Sequence, residues 1–286
     1  MKNIIIAAII ISGTFIISSC ADERIEGCTN PYALNFNPQA SDDNGACYTP
    51  IQTKKVLMAD FTATWCGPCG DWGAPNFEGA ISMTEGMSEP MGIHSGDEMA
   101  NPLADEFLAF YNITGIPTLK VWNEVNGFSD SSSMASAVES ELDDPLAEAG
   151  AILVLTDKGG SFEVGVSAGT FEQVVGDYYV AVYILENNLK YSQNGAGEDG
   201  VYDPDFVHQH VLRTSATGDM FGQQFIFGSG FPGQMYTKIY SVPKETSWKS
   251  ADIYALAVVW KYAKNKETSQ FEYNVVNVVN SRDLPK

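Results

Sequence analysis

The stretch Val56-Leu57-Met58-Ala59-Asp60-Phe61-Thr62-Ala63-Thr64-Trp65-Cys66-Gly67-Pro68-Cys69 decides how the chain folds. Its first six residues are an apolar run of strand length broken by one carboxylate, and the residues after Cys69 are able to start a helix. Two cysteines at i and i+3 at a helix start place the first thiol at the positive end of the helix dipole, where backbone N–H groups stabilise a thiolate. Cys66, the more exposed of the two, is therefore expected to be the attacking nucleophile, with a pKa below the value of about 8.5 for a free thiol. Cys69, one turn deeper, is expected to resolve the mixed disulfide from within. A Cys-X-X-Cys pair is also half of a zinc site, but no second pair stands at the usual spacing and no His is near enough in sequence to complete one. Neither a metal nor a cofactor is expected.

Asp60 to Cys69 resembles the active-site strand and turn of the thioredoxin family, and Tyr111-Asn112-Ile113-Thr114-Gly115-Ile116-Pro117-Thr118-Leu119 resembles the segment that carries its cis-proline. The resemblance implies that Asp60 is the buried carboxylate that accepts the proton of Cys69 and that Trp65 shields the site. It also implies that Ile116-Pro117 forms a cis peptide beside the sulfurs and offers backbone to an extended substrate. Physical chemistry is compatible with both roles: a carboxylate on a buried strand has a raised pKa, and a cis X-Pro bond costs only about 0.5–1 kcal/mol.

The chain departs from the family at Gly70, where a basic residue is common, at Gly73, and at Pro75, which arrives one residue late. These departures bear on how a substrate is recognised. Only Asn123 to Phe128 separate the strand Thr118–Trp122 from the next helix, so the family's last strand is expected to be shortened or lost. That helix carries Met134, Val138 and Leu142 at four-residue spacing, with Ser131 to Ser133 as its expected caps. Met91 to His94 reads as a strand and Asn101 to Tyr111 as a helix; His94, at the strand end, either tunes the sulfur pair or simply caps the strand.

Outward toward the N-terminus, residues 1–19 carry one positive charge, Lys2, and an apolar run from Ile4 to Ile17 too short to span a bilayer. This is the pattern of a secretory signal peptide. Ile17-Ser18-Ser19-Cys20 resembles the bacterial lipobox, which implies cleavage before Cys20 and its lipidation; the alternative is an ordinary signal peptide with a chance cysteine. Asp22 and Glu23 resemble the surface-export signal of some lipoproteins. Cys28 and Cys47 close a turn-rich stretch whose large apolar groups are Tyr32, Leu34 and Phe36. A structural disulfide is expected there, stabilising a loop of about 20 residues by roughly 3 kcal/mol. Asp42, Asp43 and Asn44 leave a calcium loop open beside a plain Asx-turn.

From Gly150 the pattern changes to short runs at Ala151–Thr156, Ser161–Ser167, Asp177–Leu185, Phe206–Thr214, Gln234–Val242, Ile253–Trp260 and Phe271–Val279, separated by turns such as Lys158-Gly159-Gly160. Such a series reads as an all-β sandwich of immunoglobulin-like type. On one strand His208 and His210 would share a face and pair as metal ligands or, more plainly, as surface or core histidines. The acidic loop Glu198 to Asp205 is a solvated turn or a cation site. The two halves together resemble bacterial lipoproteins related to outer-membrane protein twenty-eight, through Gly92-Ile93-His94-Ser95-Gly96-Asp97 and Val207 to Arg213. The expected organisation is a signal peptide over 1–19, an anchor linker with a disulfide-closed module over 20–52, an α/β thioredoxin-like domain over 53–148, and the β-sandwich over 149–286.

The 286 residues carry 16 Lys and Arg against 36 Asp and Glu, a net charge of -20 that repels nucleic-acid backbones and excludes nucleic acid as a partner. The expected function is that of a lipid-anchored thiol-disulfide oxidoreductase of the bacterial envelope, at the outer membrane, acting on protein disulfides or dithiols with an electron donor that the chain does not name. The alternative is a surface or periplasmic binding lipoprotein in which the thioredoxin-like domain is a scaffold.

Overall fold

The computed structural model describes residues 24–124, 127–197, 200–264 and 270–284. Residues 1–19, Cys20, Asp22 and Glu23 lie outside the described residues, as do Glu198 and Asp199 of the acidic loop. Strand β1 (Val56–Thr62) is buried along its whole length between a parallel neighbour, β2 (Ser88–His94), and an antiparallel one, β3 (Thr118–Val121). A strand with partners on both edges and packing on both faces has no solvent side, which is why β1 is apolar without alternation apart from Asp60.

Three helices cover this sheet: α1 (Ala74–Met83), α2 (Pro102–Phe110) and α3 (Ser131–Glu141). Phe77 and Ala80 of α1 and Met134 and Val138 of α3 pack on one face, against Met58, Leu119 and Val121. Phe107 of α2 packs on the other, with Phe61, Met91 and Trp122. A single π-turn, Cys69–Gly73, precedes α1, so Pro75 falls in the first turn of the α-helix, where its missing N–H is harmless. The cap of α3 is Asp130 rather than the expected serines. Asp130 still has extended backbone and its carboxylate accepts from Ser133 N–H at 2.9 Å, whereas Ser131–Ser133 are already helical. The last thioredoxin-like strand is reduced to one bridge, Leu119 to Phe128.

The C-terminal region contributes β4 (Ala149–Asp157), β5 (Ser161–Thr170), β6 (Asp177–Glu186), β7 (Val211–Ser215), β8 (Gln223–Ile226), β9 (Met235–Pro243), β10 (Ile253–Lys264) and β11 (Phe271–Asn280). A sheet of order β9-β5-β4 faces β6, β10 and β11 across a core containing Leu153, Phe162, Val164, Val182, Ile184 and Val259. These two layers are the expected sandwich, but the second layer does not stand alone. Its strands continue the thioredoxin-like sheet, giving the order β11-β10-β6-β7-β2-β1-β3, with β8 also paired to β6.

The seam of this sheet is narrow: β7 meets β2 in parallel at Val211 and Gly92, and Gly92 N–H donates to His210 O at 2.7 Å. A β carbon at Gly92 would press on the Gln209 and His210 carbonyls at 3.3 and 3.4 Å, so glycine permits the approach. Lys55 adds a polar tie, reaching Glu89 at 2.7 Å and Asp283, near the C-terminus, at 2.6 Å. Because β6 and β10 lie between two layers, both of their faces are buried: Val180, Val182 and Ile184 face the sandwich core, while Ala181, Tyr183 and Leu185 share the opposite core with Phe107 of α2, Phe61 and Met91.

The strand expected over Phe206–Thr214 is broken. His210 has φ 58°, in the left-handed region, which ends the pair Val207–His208 before β7 begins. His208 and His210 therefore do not share a face; His210 Nδ1 meets Tyr254 Oη at 2.9 Å, while His208 points elsewhere. At the N-terminal end, Cys28 and Cys47 are joined by a disulfide with Cα atoms 4.9 Å apart. In the loop it closes, Asp43 and Asn44 accept backbone N–H bonds two residues on as plain Asx-turns.

Candidate functional site

The end of β1 delivers Thr62 to Trp65 into a turn, and Cys66 N–H donates to Ala63 O at 3.2 Å within it. Cys66 and Cys69 are joined by a disulfide, with Cα atoms 5.2 Å apart. Cys69 opens the π-turn and is fully buried, whereas Cys66 is 5% exposed. The Cys69 N–H donates to Cys66 Sγ at 3.2 Å, so the first free amide of the helical segment points at the outer sulfur. On one flank the Ile116–Pro117 peptide is cis, with the Ile116 carbonyl oxygen 3.7 Å from Cys66 Sγ. Gly73 allows this contact, because a β carbon there would meet Pro117 at 2.8 Å. Trp65 is 55% exposed beside the pair, its Nε1–H donating to Ser95 O at 3.1 Å.

Asp60 lies on β1, 4% exposed, with no protein partner for its Oδ1, and shares a cavity wall with Gln193, the donor to Cys66 O. Burial, and then the neighbouring Glu78 carboxylate, push its pKa up to about 8. A carboxyl with that affinity takes and gives a proton near neutral pH.

The other flank of the turn is closed by a segment absent from the expectations above. Gln193, 1% exposed, donates from Nε2 to Cys66 O at 3.0 Å and to Ala63 O at 3.2 Å. Asn194 donates from its backbone to Thr64 O and from its side chain to Trp65 O, both at 2.9 Å. Gly195 lies against Gly67, and a β carbon at Gly70 would overlap the Asn194 carbonyl. The glycine that departs from the thioredoxin pattern at position 70 is thus the space into which the strap of residues 193–196 is laid.

Other partners of the turn come from the loop after β2. Asp97 accepts from Thr64 N–H at 2.9 Å and from His94 Nδ1 at 2.7 Å through one oxygen, and from Met99 and Ala100 N–H through the other. Burial opposes its charge, but these hydrogen bonds, His94 first, hold its pKa below the usual carboxylate value. His94 is therefore held in place by Asp97. Among the described residues no group of three or more His, Cys, Asp or Glu is arranged to hold a metal ion.

Residues 104–282 match the family model for outer membrane protein Omp28, and residues 46–146 match that for thioredoxin. The chain belongs to the Omp28 family. The two matches overlap across α2, β3 and α3, so the Omp28 unit begins inside the thioredoxin-like one, in keeping with the single sheet that joins them. Among solved structures, HBP35 of Porphyromonas gingivalis is 20% identical over 81% of this chain and 76% of its own, with a TM-score of 0.66, which is a likeness of fold. A protein of Agrobacterium tumefaciens is 13% identical over 82% of this chain and 98% of its own, with a TM-score of 0.46. No curated protein matches the chain. In this Omp28 family member, the two segments that carried the family resemblance, Gly92–Asp97 and Val207–Arg213, converge, with the His94 and His208 rings edge to face at 5.2 Å.

Proposed function

We propose that the protein is a thiol-disulfide oxidoreductase of the bacterial cell envelope, tethered to the outer membrane by lipid on Cys20, whose Cys66–Cys69 pair exchanges disulfides with extended protein segments. One observation carries the reading: the Cys66–Cys69 disulfide abuts the cis Ile116–Pro117 peptide on one side, and the strand that leads into its turn carries the buried carboxyl of Asp60. Cys66 attacks a substrate disulfide, Cys69 resolves the mixed disulfide, and Asp60 takes the Cys69 proton. The open flank at Gly115–Pro117 receives the substrate backbone, since the strap of residues 193–196 occupies the other. The Omp28 match supports the envelope location. Among the described residues no helix is long and apolar enough to cross a membrane, and a lipid on Cys20 supplies attachment without one.

The reading is tested by insulin reduction with the full-length chain, pre-reduced and then freed of reductant, beside Cys66→Ser. Reduction by the first and background with the second is the expected outcome. Equal background rates would sink the reading in favour of a binding lipoprotein, the reading favoured by the strap and by the small exposed fraction of Cys66. Covalent trapping by Cys69→Ser then identifies the substrates.

A further inference from the structure

A cavity of about 110 Å³ lies at Asp60, where the thioredoxin-like and C-terminal regions meet. Its wall includes Asp60 from β1, Glu78 from α1, His94 from β2, and Gln193 and His208 from the C-terminal region. Two of the buried atoms on that wall have no protein partner: Asp60 Oδ1 and His208 Nε2. Buried polar groups in folded proteins are almost always hydrogen-bonded to protein or to ordered water. A polar space of this size exceeds the roughly 10–15 Å³ that one water needs, so it is shaped to hold water between the carboxyl and the imidazole.

His208 is fixed for that task. It is 5% exposed, the backbone at Tyr191 and Ser192 hydrogen-bonds its ring, and His94, itself held by Asp97, meets it edge to face. The titratable groups facing it are Asp60, Glu78, His94 and Asp97. Burial, followed by the neighbouring His94, lowers its pKa to about 4, so the ring is neutral at pH 7. Carbonyl acceptors on the ring's other edge leave Nε2 as a bare acceptor. A water that donates to Nε2 can donate its second hydrogen to the Asp60 carboxylate, or accept from the Asp60 carboxyl once protonated. It is satisfied in both states.

We propose that His208 is a positioning residue of the resolving step: its Nε2 anchors the cavity water that serves Asp60, so that the C-terminal region completes the proton path of the redox pair. The proposal rests on the oxidoreductase reading above. In the step concerned, Cys69 begins as a thiol and Cys66 is bonded to a substrate sulfur. The Cys69 proton passes to Asp60 and its thiolate attacks Cys66 Sγ. The Cys66–Cys69 bond forms, the Cys66–substrate bond breaks, and the substrate sulfur leaves as a thiolate with the electron pair. Asp60 then returns its proton through the cavity water toward the mouth beside Glu78, which is exposed.

The test is single-turnover reduction of a mixed disulfide by the pre-reduced full-length chain, followed against pH, for wild type, His208→Phe and His208→Gln. Phenylalanine keeps a ring and removes the acceptor; glutamine can present an acceptor near the same point. The expected result is resolution about ten-fold slower at pH 7 in His208→Phe, with the pH midpoint moved alkaline by about one unit and Cys66 thiolate absorbance unchanged. His208→Gln should recover most of the rate. A His208→Phe profile that overlays the wild type, or equal loss in both variants, overturns the proposal and leaves the oxidoreductase reading standing. A wild type as inert as Cys66→Ser overturns both. Should His208→Phe not fold, nitrogen NMR of the wild type decides: the His208 Nε2 shift must follow the Asp60 titration and lose that midpoint in Asp60→Asn, and an Nε2 shift blind to Asp60 overturns the proposal.

Discussion

The two flanks of the redox pair are built by opposite means. The open flank, Gly115 to Pro117, belongs to the same thioredoxin-like segment as the cysteines and lies 50 residues from Cys66. The closed flank is made by Gln193 and Asn194, whose contacts with Cys66 O and Trp65 O span 127 and 129 residues of sequence. One half of the chain supplies Cys66, Cys69 and Asp60. The other covers one face of the turn, lines the cavity at Asp60 and takes the space that a side chain at position 70 would occupy. The chemistry is thus local and its access is not, so variants on the two sides are expected to fail in different ways.

The largest effect is expected from Asp60→Asn. The Asp60 carboxyl is raised in the folded state to about 8 from an unfolded value near 4. Between those values the folded chain holds a proton that the unfolded chain has lost, so stability is full below about pH 4 and falls as pH rises through 8. Asparagine carries no charge to bury. The variant should be more stable than wild type at pH 9, by on the order of 5 kcal/mol, with the difference vanishing at pH 4. Urea denaturation across that range measures it, and parallel curves would show that burial does not raise the Asp60 pKa.

Phe107→Ala comes next. Its ring meets Trp122 at 6.0 Å and Tyr183 of β6 at 5.7 Å, so it belongs to both regions at once. A loss of about 4 kcal/mol is expected. Calorimetry of wild type and variant should each show one transition, since a shared sheet and core leave neither region a surface of its own. Two transitions would separate the regions. Gly70→Lys, the residue common in thioredoxin, should cost about 3 kcal/mol by chemical denaturation, because its β carbon overlaps the strap. A neutral effect would show that residues 193–196 stand off the turn. The smallest loss is expected from Gln193→Ala, about 1 kcal/mol, for the Nε2 bonds lost to Cys66 O and Ala63 O, the second of which keeps the Cys66 N–H. Alkylation of the reduced variant should also be faster at Cys66 than in wild type, and an unchanged rate would confine Gln193 to a packing role.

Much of the first half was legible because its signals are local. An apolar run, a Cys-X-X-Cys turn and an Ile-Pro step each depend on neighbours a few residues away, and β1, the π-turn with α1, and the cis peptide appear where those signals stand. The C-terminal runs likewise gave strands close to their observed ends, as at Asp177–Glu186 and Phe271–Asn280. His208 and His210 misled because a strand's alternation was assumed through a residue at φ 58°. Asp130 was missed as a cap because three serines follow it.

By itself, then, the sequence determined the elements, the Cys-X-X-Cys turn, the excess of acidic residues and much of which residues are buried. Periodicity names the face a side chain takes and leaves the partner strand unnamed. Only the tertiary structure decided that β7 pairs with β2 and not within a separate sandwich, that Gln193 and Asn194 close the turn, and that His208 faces the cavity of Asp60. Each of these rests on backbone hydrogen bonds and contacts between residues more than a hundred positions apart, which no local propensity encodes.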